Sequence, residues 1–388
     1  MNSFRKIMED MKFKTCSFYK PRQMAIHLTF FMAVILGLSL TGCSHQTTLQ
    51  GEKPPAGVLI DVLYATDRNL TGNQAPDNYY GEDRSTMSYG TCQVRVRPDK
   101  AKSPFADHRL WKVDFGEPSS KKIQVKAIRE MEKAKFFKKL SSRTTSSVDD
   151  SVLIYFHGYG RKFDRAMRTT AGLAYELNYG GAPILYSWPS KGKANAYTAD
   201  RTTIDWSIPH LEAFLKESLI KTRPGNIHLL AHSLGNRALL RALENLVKKS
   251  DSDTRLSFGE IILSAPDVDR DIFIRDYAPI LQKIAFRVTL YVSSIDVPLA
   301  ASGRINRSPR VGNSKKGLVI VEGIQSIDAT DVSTLVTGHS SYRDSPEVLS
   351  DLYYIINKRL APENRPTLTT ENDPAGRYWK IVPGSALQ

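Results

Sequence analysis

The hydrophobic pattern of the chain changes near residue 150. Beyond that point short apolar runs alternate with stretches of helical period. Residues 152–156, 183–188, 227–231, 261–265 and 288–293 read as strands, and 318–321 as a further short one. Between them, 163–177, 202–221 and 234–249 carry apolar residues three and four positions apart. Leu211, Phe214, Leu215 and Leu219 share one helical face, and Lys248 and Lys249 close a helix where the dipole favours cations. A last helix at 346–360 opens on a proline. Strands that are apolar throughout are covered on both faces. Their alternation with amphipathic helices predicts an α/β fold, with a mostly parallel, doubly wound sheet and helices on both sides.

Before residue 150 the pattern is more polar. Residues 58–65 read as a first strand, 69–88 as a long loop rich in Asn, Asp, Gly and Tyr, 91–96 as a second strand and 111–115 as a third. Residues 128–140 read as a basic amphipathic helix, and 141–151 as a polar connection. The expected organisation is one domain over 58–360, made of a β-rich N-terminal extension at 58–150 and a core at 151–360. A Pro-rich tail follows at 361–388.

The first residues form a separate pattern. Six basic residues precede an apolar run of 17 residues at 24–40, short for a membrane span and suited to the core of a signal peptide. The run ends in Leu40-Thr41-Gly42-Cys43, which resembles the bacterial lipobox. The resemblance implies a signal at 1–42, lipidation of Cys43, a tether at 43–57 and a membrane as partner. An uncleaved signal anchor is the alternative, and Met11 and Met24 are alternative starts. Ser44 stands where an Asp would favour the inner membrane, so sorting rules point to the outer membrane, facing the periplasm.

Charge is informative once this segment is set apart. The chain of 388 residues has a formal charge of +14, of which six basic and two acidic residues within 1–42 supply +4. The remaining +10 suits a protein beside an anionic bilayer. No helix-turn-helix, zinc or RNA-binding signature supports nucleic acid as partner. Loss of Cys16 and modification of Cys43 would leave Cys92 as the one thiol, so no intrachain disulfide is expected.

Two motifs carry the candidate chemistry. Ala231-His-Ser-Leu-Gly235 joins a predicted strand to a predicted helix, the context of a nucleophile elbow with Ser233 at its tip. Phe156-His157-Gly158-Tyr159-Gly160 follows an earlier strand. An oxyanion would there meet backbone N–H groups of Leu234 and of Gly158 or Tyr159. A serine hydroxyl needs a base, and His339 is the one histidine after Ser233. The orienting acid is Asp296 or Asp267, each at a strand end; Asp296 is favoured because it follows the later strand. His232 is expected to point to the other side of the sheet. His157, Trp188 and Asp267 are candidates for a substrate pocket, with Trp188 either walling it or packing in the core. Residues 301–317 carry Arg304, Arg307, Arg310, Lys315 and Lys316 without an acid, as a solvated loop or as a face toward a membrane or anionic substrate.

Together with Tyr64-Ala-Thr-Asp-Arg68, Tyr186-Ser-Trp-Pro-Ser190, Ser294-Ile-Asp296 and Gly338-His339, these motifs resemble a bacterial α/β-hydrolase family of unknown function with esterase- and lipase-like members. The resemblance implies an α/β-hydrolase fold, a Ser233–Asp296–His339 triad, and no metal or cofactor. It sets the expectation of a serine hydrolase acting on carboxylic esters through an acyl-enzyme. Lipase, thioesterase or acyltransferase activity on envelope lipids, or a non-catalytic scaffold, are the alternatives. It implies no particular ester or lipid substrate and no oligomeric state.

Overall fold

Five of the apolar runs become five neighbouring parallel strands: β4 (Val152–Phe156), β5 (Ala182–Ser187), β6 (Ile227–His232), β7 (Phe258–Ser264) and β8 (Ala285–Val292). Every residue of β4 to β7 is buried, which is why these runs show no alternation. The computed structural model describes residues 57–97, 122–146, 150–193, 195–250, 256–333, 339 and 345–386. The proposed signal, Cys43 and the expected strand at 111–115 lie outside them.

The parallel run continues on one side into β9 (Ile324–Asp328) and on the other into β1 (Val58–Leu70). Two antiparallel strands, β2 (Tyr80–Val96) and β3 (Ile123–Met131), extend the β1 side. At the far edge lies a hairpin of β10 (Leu368–Asp373) and β11 (Gly376–Ile381), with β11 parallel to β9. Among the described residues the sheet has eleven strands, ordered β10-β11-β9-β8-β7-β6-β4-β5-β1-β2-β3.

Alternate side chains of each strand enter cores on opposite faces. Ile154, Phe156, Leu229, Ala231, Ile261 and Leu263 pack on one face, with helices α1 (Lys133–Ser146), α3 (Tyr197–Lys221) and α4 (Gly235–Lys249) contributing Phe136, Phe214 and Leu243. Leu153, Tyr155, Leu230 and Ile262 pack on the other, with α2 (Phe163–Glu176) and α7 (Pro346–Ile356) contributing Phe163, Leu173 and Leu352. Residues 270–284 form a short helical turn, a π-helical segment and α5 (Ala278–Ile284). Helix α6 (Val297–Ile305) follows β8.

Several expectations are corrected. The loop expected at 69–88 is largely strand, because β1 and β2 form a long hairpin whose register shifts near Arg68. Its polar residues lie on partly exposed strands, where apolar alternation is weak. The helix expected at 128–140 is split at Glu132 into the end of β3 and the start of α1. Leu318–Val321 is not a strand; the ladder to β8 forms at β9 instead. Residues 362–381, expected within a tail, supply a 3-10 turn and the β10–β11 hairpin that widen the sheet.

The strand order reverses between β4 and β6, since β5 lies on one side of β4 and β6 on the other. At such a switch point the loops leaving adjacent strands diverge and open a crevice at the carboxyl edge. The loops leaving β4 and β6 are those bearing His157–Gly160 and Ser233.

Candidate active site

Ser233 leaves β6 with φ of +53°, in the left-handed region that non-glycine residues rarely occupy. The turn is held from several sides. The Ser233 N–H donates to the Ser264 carbonyl at 3.0 Å, and the Asp267 N–H donates to the Ser233 carbonyl at 3.2 Å. The Asn236 side chain donates to the carbonyls of Ser233 (3.0 Å) and Ser264 (3.1 Å). Asn236 has no signature in the sequence; its part emerges only when β6 and β7 exit side by side.

Small residues in the motif have a direct steric reason. A Cβ on Gly235 would stand 2.6 Å from the His157 carbonyl oxygen and 2.9 Å from that of Phe156, both backbone atoms. A Cβ on Gly158 would stand 3.0 Å from the Ser233 Cβ, so the loop after β4 touches the elbow. Gly235→Ala is therefore expected to cost about 3 kcal/mol by overpacking. A thermal melt of the variant checks this, and an unchanged Tm would mean that β4 and α4 can separate freely.

Three side chains from separate strand ends form one hydrogen-bonded row. His339 Nε2 lies 2.9 Å from Ser233 Oγ, and His339 Nδ1 lies 2.7 Å from Asp296 Oδ2. Asp296 is buried and also caps α6, its Oδ1 accepting the Leu299 N–H at 2.8 Å. A carboxylate can only accept, so Nδ1 carries the hydrogen and the Nε2 lone pair faces the serine hydroxyl. The N–H groups of Leu234 and Tyr159 donate to no described residue. The amino end of α4, where peptide dipoles leave partial positive charge, lies next to Leu234.

A family model described as an alpha/beta hydrolase of unknown function (DUF900) matches residues 132–359. The chain belongs to this family. An uncharacterized protein of Nostoc sp., alr1448, is 35% identical over 72 residues, and the match spans 19% of this chain and 19% of that protein. Among solved structures, 2,6-dihydroxy-pseudo-oxynicotine hydrolase is 12% identical, covering 71% of this chain and 67% of that one, at a TM-score of 0.30. A hyperthermophilic esterase of Pyrobaculum calidifontis is 10% identical, covering 92% and 96%, also at 0.30. At these scores the structural likenesses carry no argument.

In this alpha/beta hydrolase the remaining sequence candidates have other surroundings. Asp267 does not reach His339. Its carboxylate accepts the hydroxyls of Tyr197 (2.6 Å) and Ser302 (2.5 Å), with Arg310 3.9 Å away. Burial, and then the Asp267 charge, push the Tyr197 hydroxyl up to about 12. His157 and Trp188 are fully buried and stacked, centroids 5.0 Å apart, and the Trp188 indole donates to the His157 carbonyl at 2.8 Å. Neither walls an open pocket; both pack beneath the loop after β4. Burial, with the Arg68 charge adding to it, holds the His157 imidazole well below its usual range, so it stays neutral.

His232 supports the row from behind. Its Nε2 donates to the His339 backbone carbonyl at 2.8 Å, and the two rings lie 4.8 Å apart. It anchors the backbone of His339.

Arg68 explains one of the family-like motifs. The buried guanidinium donates to Ser187 Oγ (2.9 Å) and to the carbonyls of Gly81 (2.9 Å), Ser190 (3.1 Å) and Arg161 (2.7 Å). Burial lowers its pKa to about 10, which leaves it charged at neutral pH. Asp200 works beside it, accepting the Gly160 N–H (2.9 Å), the Ser190 hydroxyl (2.6 Å) and the Lys191 N–H (2.8 Å). Both fix the loop that carries Tyr159.

Proposed function

We propose that this alpha/beta hydrolase is a serine hydrolase that cleaves carboxylic esters through an acyl-enzyme intermediate. The observation that carries the reading is the row from Ser233 Oγ through His339 to the buried Asp296. Ser233 Oγ attacks the ester carbonyl carbon as its proton passes to His339 Nε2. Asp296 holds the imidazolium that forms, and the N–H groups of Leu234 and of Gly158 or Tyr159 receive the oxyanion. Collapse breaks the ester C–O bond, and His339 returns the proton to the leaving alcohol. Water then attacks the acyl-enzyme with His339 again as base, releasing the acid and restoring Ser233.

The test is covalent labelling with a fluorophosphonate, followed by peptide mass spectrometry. Phosphonylation of Ser233 is expected; labelling of a different serine, or none with folded protein, defeats the reading.

The basic stretch, apolar run and Cys43 support a lipid-anchored envelope protein, held by acyl chains on that thiol. Radiolabelled palmitate should enter the wild-type chain and not Cys43→Ala; equal incorporation removes the anchor.

A further inference from the structure

Apart from Arg304, the exposed residues of α6 are apolar, the reverse of an ordinary surface helix. Its buried side holds Leu299 and Ser302, while Val297, Ala301 and Ile305 face outward at successive turns. Val297 is 57% exposed, Ile305 62%, and Ile295, next to Asp296, 46%. Three large apolar side chains thus stand in solvent around the carboxylate that meets His339.

Charge on the same segment is one-sided. Between Val297 and Val321 there are five Lys or Arg residues and no Asp or Glu. Arg310 turns inward toward Asp267. Arg304, Arg307, Lys315 and Lys316 are exposed, and none forms an ion pair with a described residue. Elsewhere exposed arginines do find partners, as Arg223 does in Asp150 and Arg275 in Asp276. The segment after α6 folds back onto the exit of β8. There the Ser293 N–H donates to the Gly312 carbonyl at 3.0 Å, and Asn313 Nδ2 donates to the Asp296 carbonyl at 2.9 Å. The apolar stripe and the cations therefore share the sheet edge that bears Asp296.

We propose that this edge docks on an anionic lipid surface. Val297, Ala301 and Ile305 enter the headgroup region, and Arg304, Arg307, Lys315 and Lys316 meet lipid phosphates. Apolar area leaves water on docking, and each Lys or Arg near an anionic leaflet strengthens binding by roughly fivefold. A second copy of this chain fits less well, because a two-fold contact would set the same positive patch against itself. On the reading of Ser233 as nucleophile, docking turns the site toward lipid esters; the docking itself needs no hydrolysis.

The experiment uses full-length Ser233→Ala protein and co-sedimentation with vesicles of phosphatidylcholine, with and without phosphatidylglycerol. Hydrolysis then plays no part, and residues 24–40 are common to every variant. Binding is expected to be tighter with phosphatidylglycerol. Added Arg304→Glu and Lys315→Glu together should weaken that binding about tenfold or more. Added Ile305→Glu should weaken binding to both vesicle types, and Ile305→Gln should do so if the Glu variant fails to fold by circular dichroism. Equal partitioning of the folded variants, or indifference to phosphatidylglycerol, overturns the proposal. So does a dimer in sedimentation velocity that Ile305→Glu abolishes, which would assign the face to a second copy.

Discussion

Ser233→Ala is expected to lower kcat for p-nitrophenyl ester hydrolysis by about a million-fold, with KM little changed. The substitution removes the one atom placed 2.9 Å from His339 Nε2 and leaves the backbone donors of Leu234 and Tyr159 where they are. What remains is binding and oxyanion stabilisation, which alone give a small rate over water. The fold should survive, because the elbow is held by main-chain bonds and by Asn236, none of which uses the hydroxyl. Ser233→Gly makes the contrast sharper. It should be as inactive, yet more stable by about 1 kcal/mol, since glycine adopts a φ of +53° without strain. Steady-state kinetics and a thermal melt on both variants check this. Residual turnover within a hundredfold of wild type would place the nucleophile elsewhere.

The second large effect separates the two acids. Asp296→Asn should cost about ten-thousand-fold in kcat. An amide can donate to Nδ1, which drives the imidazole hydrogen to Nε2 and blocks acceptance of the serine proton. The helix cap need not fail, because Asn accepts the Leu299 N–H as Asp does. Asp267→Asn touches Tyr197, Ser302 and Arg310 and should reduce stability while leaving kcat within about tenfold. Kinetics beside melting curves distinguish the pair. The reverse ranking of kcat losses would move the orienting role to Asp267.

The two acids show where legibility ends. Both follow apolar strands, and the sequence alone favours Asp296 only through the usual order of this fold. The choice between them becomes visible in three dimensions, where α6 presents Asp296 to His339 and the Tyr197–Ser302 pair engages Asp267. His157 and Trp188 teach the same lesson. A strand-end position places a residue at the crevice edge, but stacking against each other under the Arg68 network draws both inward. His232 follows Ala231 in a strand, so alternation assigns it the opposite face. The sequence could not show what stands there, which is the His339 carbonyl.

The sequence by itself determined the α/β class, the central strands and most of the helices between them, and it singled out Ser233 and His339 while leaving Asp296 and Asp267 as rival acids. These are local signals: hydrophobic periodicity, and small residues where strand and helix must approach. The tertiary structure alone decided the β1–β2 hairpin, the split between β3 and α1 and the β10–β11 edge. It also decided the parts played by Arg68, Asp200, Asn236 and His232. Each of these depends on which strands become neighbours. That is set by burying two faces of one sheet at once, not by the residues next along the chain.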